Sequence, residues 1–315
     1  MCEPSIEVPT RHGASGVEPS TQVRSVNGIV AAALAAFVFL YSVNVACVIV
    51  PWLSYSVPGA TNLAVLTFTT GASFYCYLFC VLRDPGKVPD EWQPDSEEEA
   101  AVLEVKRKGG ARFCQKCQRH KPPRSHHCRV CQRCVLRMDH HCPYTNNCVG
   151  HTNYRAFLVF LVWANAALLH TLGLIAAHTL HLLHTAQQQR FVRAGPQAVA
   201  VALHEEGLQS VWVWAMLQIA AFLLALPLFI GLLMLLGWHV HLVMHNQTTI
   251  EHMEGVTARV KGMPAESHPY DLGPYHNITQ ILGDSFGTSL CPPCAPTEGG
   301  TSFVTVWDMG KLGIS

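Results

Sequence analysis

The chain has 315 residues, of which 50% are hydrophobic and only 13% are charged, with 13 cysteines and a formal net charge of +0. Soluble proteins carry about 25% charged residues, so this composition disfavours an ordinary soluble domain and favours a membrane protein. Most of the Lys and Arg residues lie between Arg83 and Arg155, so that segment is where a cytoplasmic address or a bound polyanion is expected.

Four segments contain no Asp, Glu, Lys or Arg, and each has the ~20 residues that a membrane-spanning helix needs. They cover residues 28–50, 60–82, 156–182 and 211–236. Four such runs disfavour the alternative, a large soluble helical core. Because basic segments close to spans tend to stay in the cytoplasm, we expect an α-helical polytopic membrane protein with four transmembrane helices. A cytoplasmic cysteine-rich domain with two zinc ions lies between the second and third helices.

This organisation divides the chain into five parts. Residues 1–27 form a cytoplasmic N-terminal tail, which is polar and too long a lead for a cleavable signal. Transmembrane helices 1 and 2 occupy residues 28–82, and the cysteine-rich zinc domain occupies residues 83–155. Helices 3 and 4, with a luminal loop, occupy residues 156–236, and residues 237–315 form a cytoplasmic C-terminal tail.

The cysteines and histidines of the third part repeat at a spacing of fourteen residues. Three thiolates and one imidazole form the closed tetrahedral set of a structural zinc site, and cytosolic thiols are kept reduced, which disfavours disulfides. The histidine doublets at 126–127 and 140–141 repeat too, so spacing alone leaves open which histidine of each pair is the ligand. The two interleaved Cys-x2-Cys-x9-His-x6-Cys units are Cys114, Cys117, His127 and Cys134, then Cys128, Cys131, His141 and Cys148.

One cysteine of this segment has no place in either unit. A third unit starting at Cys142 would need a cysteine at 145 and a histidine at 155, where the chain has Thr145 and Arg155. Cys142 stands close to His140 and Asp139, and a thiol, a histidine and an acceptor that orients it are what nucleophilic catalysis requires. The alternatives are a spare buried thiol and a surface histidine that caps a turn. A site with three thiolates is net negative, so activation of Cys142 must come from His140 or nearby arginines.

The segment from Phe113 to Phe157 resembles the DHHC cysteine-rich domain of the protein S-acyltransferases. DHHC is residues 139–142, followed by Pro143, NNCVG and Asn153-Tyr154; Tyr144 stands where many members have Trp. Three short motifs outside the domain occur in the family's order, so that the resemblance extends over residues 28–283. They are DPG at 84–86, TTIE at 248–251 and YHNITQILG at 275–283.

The resemblance implies a role for each residue of the site. His141 binds zinc with Cys128, Cys131 and Cys148, and His127 binds the other zinc with Cys114, Cys117 and Cys134. Cys142 becomes the nucleophile that accepts the acyl group, His140 its general base and Asp139 the residue that orients His140, with Thr249 bracing the site. The co-substrate is a long-chain acyl-CoA, whose phosphates need cations. The candidates are Lys121, Arg124 and Arg137, for which a positive-inside signal without a ligand is the alternative.

The implied activity is transfer of a long-chain acyl group, palmitoyl by expectation, to cysteines of membrane-associated proteins. The expected partners are proteins with membrane-proximal cysteines, acyl-CoA and membrane lipid; no nucleic acid is expected, because the zinc units lack a following recognition helix. From the family, the location is an endomembrane (Golgi or ER) or the plasma membrane. A catalytically silent zinc-stabilised scaffold is the alternative from another class, and a ubiquitin ligase is disfavoured because the spacing is unlike that of a RING finger.

Two weaker signals remain. His241 and His245 have the i, i+4 spacing of a helical metal pair, but no third ligand is evident nearby, so interfacial histidines are the preferred interpretation. Cys291 and Cys294 have no companion pair and are interpreted as a feature of the tail.

Overall fold

The computed structural model describes residues 27–94, 112–192, 205–255, 268–283, 290, 299–306 and 308. The predicted tail up to residue 26 and the pair Cys291 and Cys294 lie outside the described residues.

Among the described residues, four helical stretches are long and apolar enough to cross a membrane. They lie on α1, which continues as a π-helical segment, and on α2, α3 and α4. The prediction of four transmembrane helices with a Cys/His-rich segment between the second and third is thereby confirmed. The bounds are Gly28–Val43 for α1, Asn44–Leu53 for the π-helical segment, Val57–Leu82 for α2, Tyr154–Val192 for α3 and Glu205–Met244 for α4.

The third and fourth helices are longer than the apolar runs that predicted them. Their membrane-compatible parts are Tyr154–Gln188 with 35 residues and Trp212–Met244 with 33 residues. A charge-free run marks the part that fits a bilayer about 30 Å thick. Backbone hydrogen bonding continues through polar residues beyond it, and therefore the helix ends do not coincide with the ends of the runs.

The π-helical segment follows from Pro51. Proline has no N–H to donate to the carbonyl four residues earlier, which is that of Cys47, and its ring crowds that carbonyl. The side-chain amide of Gln218 on α4 donates to the Cys47 carbonyl at 3.1 Å instead. A neighbouring helix thus satisfies the freed backbone group, as an apolar surrounding requires.

The structure divides into two compact units. One unit comprises residues 31–74 and 161–235, and its described residues lie mostly on the four long helices. Its buried apolar core is formed by Leu40, Val43, Cys47, Val48, Ile49, Leu66, Leu168, Leu174, Ile175, Ala221 and Ala225.

The other unit comprises residues 1–30, 75–160 and 236–315. Its described residues form three antiparallel β-hairpins and two short helices, α5 (Thr249–Glu254) and α6 (Pro274–Leu282). The hairpins are β1–β2, β3–β4 and β5–β6, numbered first to third here. Their strands are Phe113–Cys114 and Arg119–His120, His126–Cys128 and Arg133–Val135, and His140–Cys142 and Asn147–Val149.

The fourteen-residue repeat of the sequence is a repeat of these hairpins. The cross-strand pairs Cys114 with Arg119, Cys128 with Arg133 and Cys142 with Asn147 are equivalent. Each turn also has one residue with a positive φ at the same position: Gln118 at 53°, Gln132 at 53° and Asn146 at 49°. Cys142 therefore occupies the same structural position as the ligand candidates Cys114 and Cys128.

The third hairpin is attached to the end of α2. The side-chain amide of Asn147 donates to the carbonyls of Cys80 at 3.0 Å and of Arg83 at 2.7 Å, which satisfies acceptors that a helix leaves open at its C-terminus. The hydroxyl of Tyr77 donates to the Tyr144 carbonyl at 2.8 Å. These bonds fix the hairpin that carries Cys142 against the end of a membrane-compatible helix.

Candidate active site

The first Cys/His set has the dimensions of a tetrahedral metal site. The Sγ atoms of Cys114, Cys117 and Cys134 lie 3.5, 3.2 and 4.0 Å from Nδ1 of His127. Ligands of one tetrahedral zinc ion are separated by about 3.6 Å for sulfur and nitrogen and about 3.8 Å for two sulfurs. The Cys117 and Cys134 sulfurs are 3.8 Å apart, so this set could hold a metal ion.

The second set has the same arrangement. The Sγ atoms of Cys128, Cys131 and Cys148 lie 3.6, 3.3 and 3.6 Å from Nδ1 of His141. In both sets the turn supports the first thiolate with a backbone N–H: Cys117 N lies 3.4 Å from Cys114 Sγ, and Cys131 N lies 3.3 Å from Cys128 Sγ. Three thiolates and an imidazole at these distances are consistent with zinc.

Strand geometry determines which histidine of each doublet faces the metal. Successive side chains of a strand point to opposite faces. His141 is paired across the hairpin with Cys148 and shares its face, so His140 and Cys142 project from the other face. The doublet 126–127 follows the same rule, because His127 is paired with Cys134.

Asp139 is fully buried and accepts three hydrogen bonds. His140 Nδ1 lies 2.6 Å from Asp139 Oδ2, and the Thr249 hydroxyl donates to the same oxygen at 2.9 Å. The Thr249 backbone N–H donates to Oδ1 at 2.9 Å. Burial alone would raise the pKa of Asp139, but its bonds to His140 and Thr249, together with the histidine charges, hold that pKa below its usual range.

Cys142 is buried. Burial acts to raise the thiol pKa, yet the influence of His140 and Thr145 outweighs it and lowers the pKa of Cys142. For His140, burial acts to lower the pKa, but Asp139 and Cys142 together raise it to about 9. These directions favour a thiolate beside an imidazolium, which is the reactive form of a cysteine nucleophile.

The short helix α5 connects this site to the second hairpin. Its N-cap Thr248 and Glu251 form a capping box, in which each bonds the other's backbone N–H. The Glu251 carboxylate also receives two hydrogen bonds of 2.8 Å from Arg124. Both side chains are 1% exposed, so TTIE at 248–251 serves as a cap, a donor to Asp139 and a buried ion pair.

The structure places Arg124 and Arg137, two of the predicted CoA contacts, in buried hydrogen-bond networks. The Arg124 guanidinium binds Glu251 and Asn246 and lies 4.3 Å from the Tyr270 ring centre. Arg137 is 6% exposed, lies 4.8 Å from the Tyr154 ring centre and donates to Asn246 at 3.4 Å. Their guanidinium groups are enclosed by protein and are not presented to a ligand. Lys121, the third candidate, is half-buried.

The C-terminal motif at 275–283 forms α6 and secures the end of α4. The Asn277 side-chain amide donates to the Met244 carbonyl at 2.8 Å, and its oxygen accepts from Leu272 N at 2.9 Å. Asn246 donates to the Tyr270 carbonyl at 2.9 Å. Both asparagines are buried, and Asn246 also accepts hydrogen bonds from Arg124, which lies just before the second hairpin.

The structure adds His239, which the sequence did not single out. It is 1% exposed on α4, and its ring centre lies 6.0 Å from that of His140. One ligand atom from each of Asp139, His140 and His239 lies within 4.8 Å of the others. The Tyr154 hydroxyl lies 3.2 Å from His239 Nδ1. A polar residue at the end of a membrane helix is a functional signal, but several other histidines near the spans gave the same signal.

The described residues thus include Asp139, His140 and Cys142 side by side, two Cys/His sets that could hold metal ions, and four membrane-compatible helices. A family model described as DHHC palmitoyltransferase matches residues 107–256. The chain belongs to this family and is a protein S-acyltransferase, so the expected family and enzyme class are confirmed.

Curated relatives agree over most of the chain. It is 44% identical over 276 residues to probable protein S-acyltransferase 16 of Arabidopsis thaliana, covering 86% of this chain and 90% of the relative. Identity to probable protein S-acyltransferase 15 of the same plant is 33% over 274 residues, or 84% and 97% of the two chains. Palmitoyltransferase PFA4 of Mycosarcoma maydis is 35% identical over 255 residues, covering 72% of this chain and 49% of the relative.

Proposed function

We propose that the chain transfers a long-chain acyl group, palmitoyl in the first instance, from acyl-CoA to cysteine thiols of membrane-associated proteins. The transfer passes through a thioester on Cys142. The observation that carries the proposal is a buried Cys142 next to His140, whose Nδ1 is held by Asp139 at 2.6 Å; His140 acts to lower the pKa of the Cys142 thiol. This arrangement matches the requirement for a nucleophile, a base and a group that orients the base.

In the first step the Cys142 thiolate attacks the carbonyl carbon of the acyl-CoA thioester. The bond between that carbon and the CoA sulfur breaks, and the departing CoA thiolate takes the proton held by His140. Asp139 stabilises the imidazolium until then, and Thr249 holds Asp139 in place through two hydrogen bonds of 2.9 Å. Cys142 then carries the acyl group as a thioester.

In the second step a substrate cysteine gives its proton to His140 and attacks the same carbonyl carbon. The bond to Cys142 breaks, and its thiolate is restored beside the imidazolium. One thioester replaces another in each step, so the protein mainly supplies a thiolate and the positioning of the reactants.

Two structural zinc ions would be held by the two Cys/His sets. A closed set with four protein ligands leaves no position for substrate, so these ions supply stability rather than chemistry. The second set shares β5 and β6 with the nucleophile, since His141 lies between His140 and Cys142. Metal binding there would fix the strand from which His140 and Cys142 project.

For the CoA phosphates we propose Lys121 as a contact. It is the one of the three predicted residues that is not enclosed by protein. Replacing Lys121 with Ala should raise the KM for palmitoyl-CoA and leave the rate at saturation nearly unchanged, because a phosphate contact binds the ground state and transition state alike. A fall in kcat without a change in KM would remove Lys121 from this role.

We also propose that the metal-binding domain and both termini face the cytoplasm of an endomembrane (Golgi or ER) or plasma membrane. The support is that most Lys and Arg residues lie between residues 83 and 155, because basic segments close to membrane spans tend to stay in the cytoplasm. Epitope tags at both ends should then be accessible to antibodies when the plasma membrane alone is permeabilised. If either tag is detected only after full permeabilisation, that end faces the lumen and the proposed orientation is wrong for it.

The test of the whole proposal is acyl transfer onto the purified protein itself. Wild type and Cys142→Ser are incubated with labelled palmitoyl-CoA, and the label is challenged with hydroxylamine, which cleaves thioesters. We expect a hydroxylamine-sensitive label on the wild type alone, followed by its transfer to a cysteine peptide. No label on a wild type that retains both metals would favour a silent scaffold, and equal labelling of the variant would place the thioester on another cysteine.

A further inference from the structure

Three histidines outside both metal sets lie together where α4 ends. His241 is in the last turn of α4, His245 follows that helix, and His252 is on α5. The ring centres of His241 and His245 are 4.5 Å apart, and those of His241 and His252 are 5.7 Å apart. The i, i+4 pair that the sequence left without a third ligand therefore has another histidine beside it.

Hydrogen bonds determine which nitrogen is open on two of these rings. Nδ1 of His245 lies 2.9 Å from the His241 carbonyl oxygen, and Nδ1 of His252 lies 3.0 Å from the side-chain oxygen of Gln247. These oxygens only accept, so each Nδ1 carries a proton and each Nε2 keeps its lone pair. Metal-binding histidines show this arrangement, with one N–H held by an oxygen and the other nitrogen on the ion.

The spacing and exposure of the rings also suit an ion. Two histidines bound to one tetrahedral ion at about 2 Å have ring centres about 5 Å apart, and the two observed distances lie on either side of that value. All three side chains are exposed. The three histidines are not among the groups whose ligand atoms already lie within 4.8 Å of one another. Binding therefore requires rotation of these exposed side chains, which repacks no core, and water can occupy the remaining position.

We propose that His241, His245 and His252 form a third metal site, open and exchangeable, for a divalent transition-metal ion. Three neutral imidazoles without a carboxylate or thiolate favour Zn²⁺, Ni²⁺ or Cu²⁺ over Mg²⁺ and Ca²⁺. An ion bound there ties α5 to the end of α4. Because α5 carries Thr249 and Glu251, the site stabilises the element that holds Asp139, and the proposal does not depend on acyl transfer being the activity.

The test titrates Ni²⁺ into the purified full-length protein, which carries no polyhistidine tag and retains its two structural zinc ions. Ni²⁺ bound and zinc retained are measured together by equilibrium dialysis and elemental analysis. We expect one Ni²⁺ per chain in addition to two zinc ions, and a higher melting temperature at saturation, since a ligand of the native state stabilises it.

Three variants make the test specific. His252→Gln should weaken Ni²⁺ binding about tenfold, the loss of about 1.4 kcal/mol, and His241→Gln combined with His245→Gln should abolish it, with zinc content unchanged in each. His184→Gln, an exposed histidine on α3, is the matched control and should bind as the wild type does. Ni²⁺ binding that survives substitution of all three cluster histidines would overturn the proposal. Displacement of zinc by Ni²⁺ without an added equivalent would overturn it as well.

Discussion

The second and third hairpins have nearly the same backbone structure, but the equivalent cysteine is a metal-ligand candidate in the second and the proposed nucleophile in the third. Cys128 and Cys142 occupy equivalent positions, paired with Arg133 and Asn147 respectively. In the second hairpin the backbone N–H of Cys131, three residues after Cys128, donates to the Cys128 sulfur at 3.3 Å. In the third hairpin the equivalent residue is Thr145, which acts to lower the pKa of the Cys142 thiol. The turn of the second hairpin contributes two cysteines to a metal set, whereas Thr145 leaves the turn of the third hairpin with a single cysteine.

The histidine that precedes each ligand histidine also differs between the hairpins. His126 lies 3.3 Å from the Arg112 guanidinium, while His140 lies 2.6 Å from the Asp139 carboxylate. A neighbouring cation opposes protonation of an imidazole and a neighbouring anion favours it. Under the proposed function, the third hairpin differs from the second in two ways: its turn lacks the second thiol of a metal set, and the histidine beside its remaining thiol is paired with a carboxylate.

The largest expected effect comes from changing the two equivalent cysteines. Cys142→Ser should abolish acyl-enzyme formation and keep two metal ions, because the thiol is not a ligand in this arrangement. Cys128→Ser should lose the second metal ion and much of the domain's stability, since it removes a ligand from a structural site. Metal analysis and thermal unfolding of both variants provide the measurement. A Cys142→Ser protein with one metal ion would mean that the two turns are chemically alike.

The next effect separates the two histidines. His140→Ala should reduce acyl-enzyme formation by about 10²- to 10⁴-fold, the range for removing a general acid–base group. His126→Ala, the matched position of the second hairpin, should retain activity within about threefold. Single-turnover labelling with palmitoyl-CoA measures both rates. Equal losses would show that the role of the histidine is structural in both hairpins.

The residues just before the two hairpins contact α5 differently: Arg124 pairs with Glu251, and Asp139 accepts from Thr249. The pH dependence of stability should distinguish the charged contact from the other. Burial acts to raise the pKa of Glu251, but Arg124 outweighs it and lowers that pKa to about 2. The stabilisation from this depressed pKa is complete above the ordinary carboxyl pKa of about 4.3 and is lost as the pH falls towards 2. Glu251→Gln should lower stability at pH 7 by about 3 kcal/mol, because a buried Arg124 loses its partner.

Urea unfolding of the wild type and Glu251→Gln between pH 7 and 3 measures this contribution. The difference in unfolding free energy between the two proteins should be constant near neutral pH and shrink in acid. A difference that does not change with pH would assign the effect to packing rather than to the charge of Glu251.

The smallest expected effect concerns His239, which accompanies His140 but has no counterpart among the contacts described for His126. His239→Phe keeps a ring against Phe157, whose centre lies 5.0 Å away, but removes the nitrogen that faces the Tyr154 hydroxyl. Leaving that buried hydroxyl unpaired costs about 1–3 kcal/mol. We expect acyl-enzyme formation to fall about tenfold with both metal ions retained.

Tyr154→Phe is the matched variant, because it removes the same hydrogen bond from the other side. If the hydrogen bond between Tyr154 and His239 supports acyl-enzyme formation, the two single variants and the double variant should have similar rates. Independent effects in the double variant would indicate that His239 acts on His140 by another route.

The sequence by itself determined the membrane class, the four helices and, by spacing, the cysteines of the two sets that could hold metal ions. These features are local: a charge-free run of ~20 residues has few options other than a bilayer, and a fourteen-residue repeat of cysteines and histidines repeats a local hairpin. The cysteine without a partner also followed from counting, because Thr145 breaks the repeat.

Only the tertiary structure decided what surrounds that cysteine. The ligand histidine of each doublet follows from strand register, which fixes the face of every side chain. Arg124 resembled any other basic residue until Glu251, 127 positions away, was found beside it at 2.8 Å, and His252 became the neighbour of His241 through the turn that follows α4. Such partners are separated by long stretches of chain, and only folding brings them within the few ångströms over which hydrogen bonds and metal ligation act.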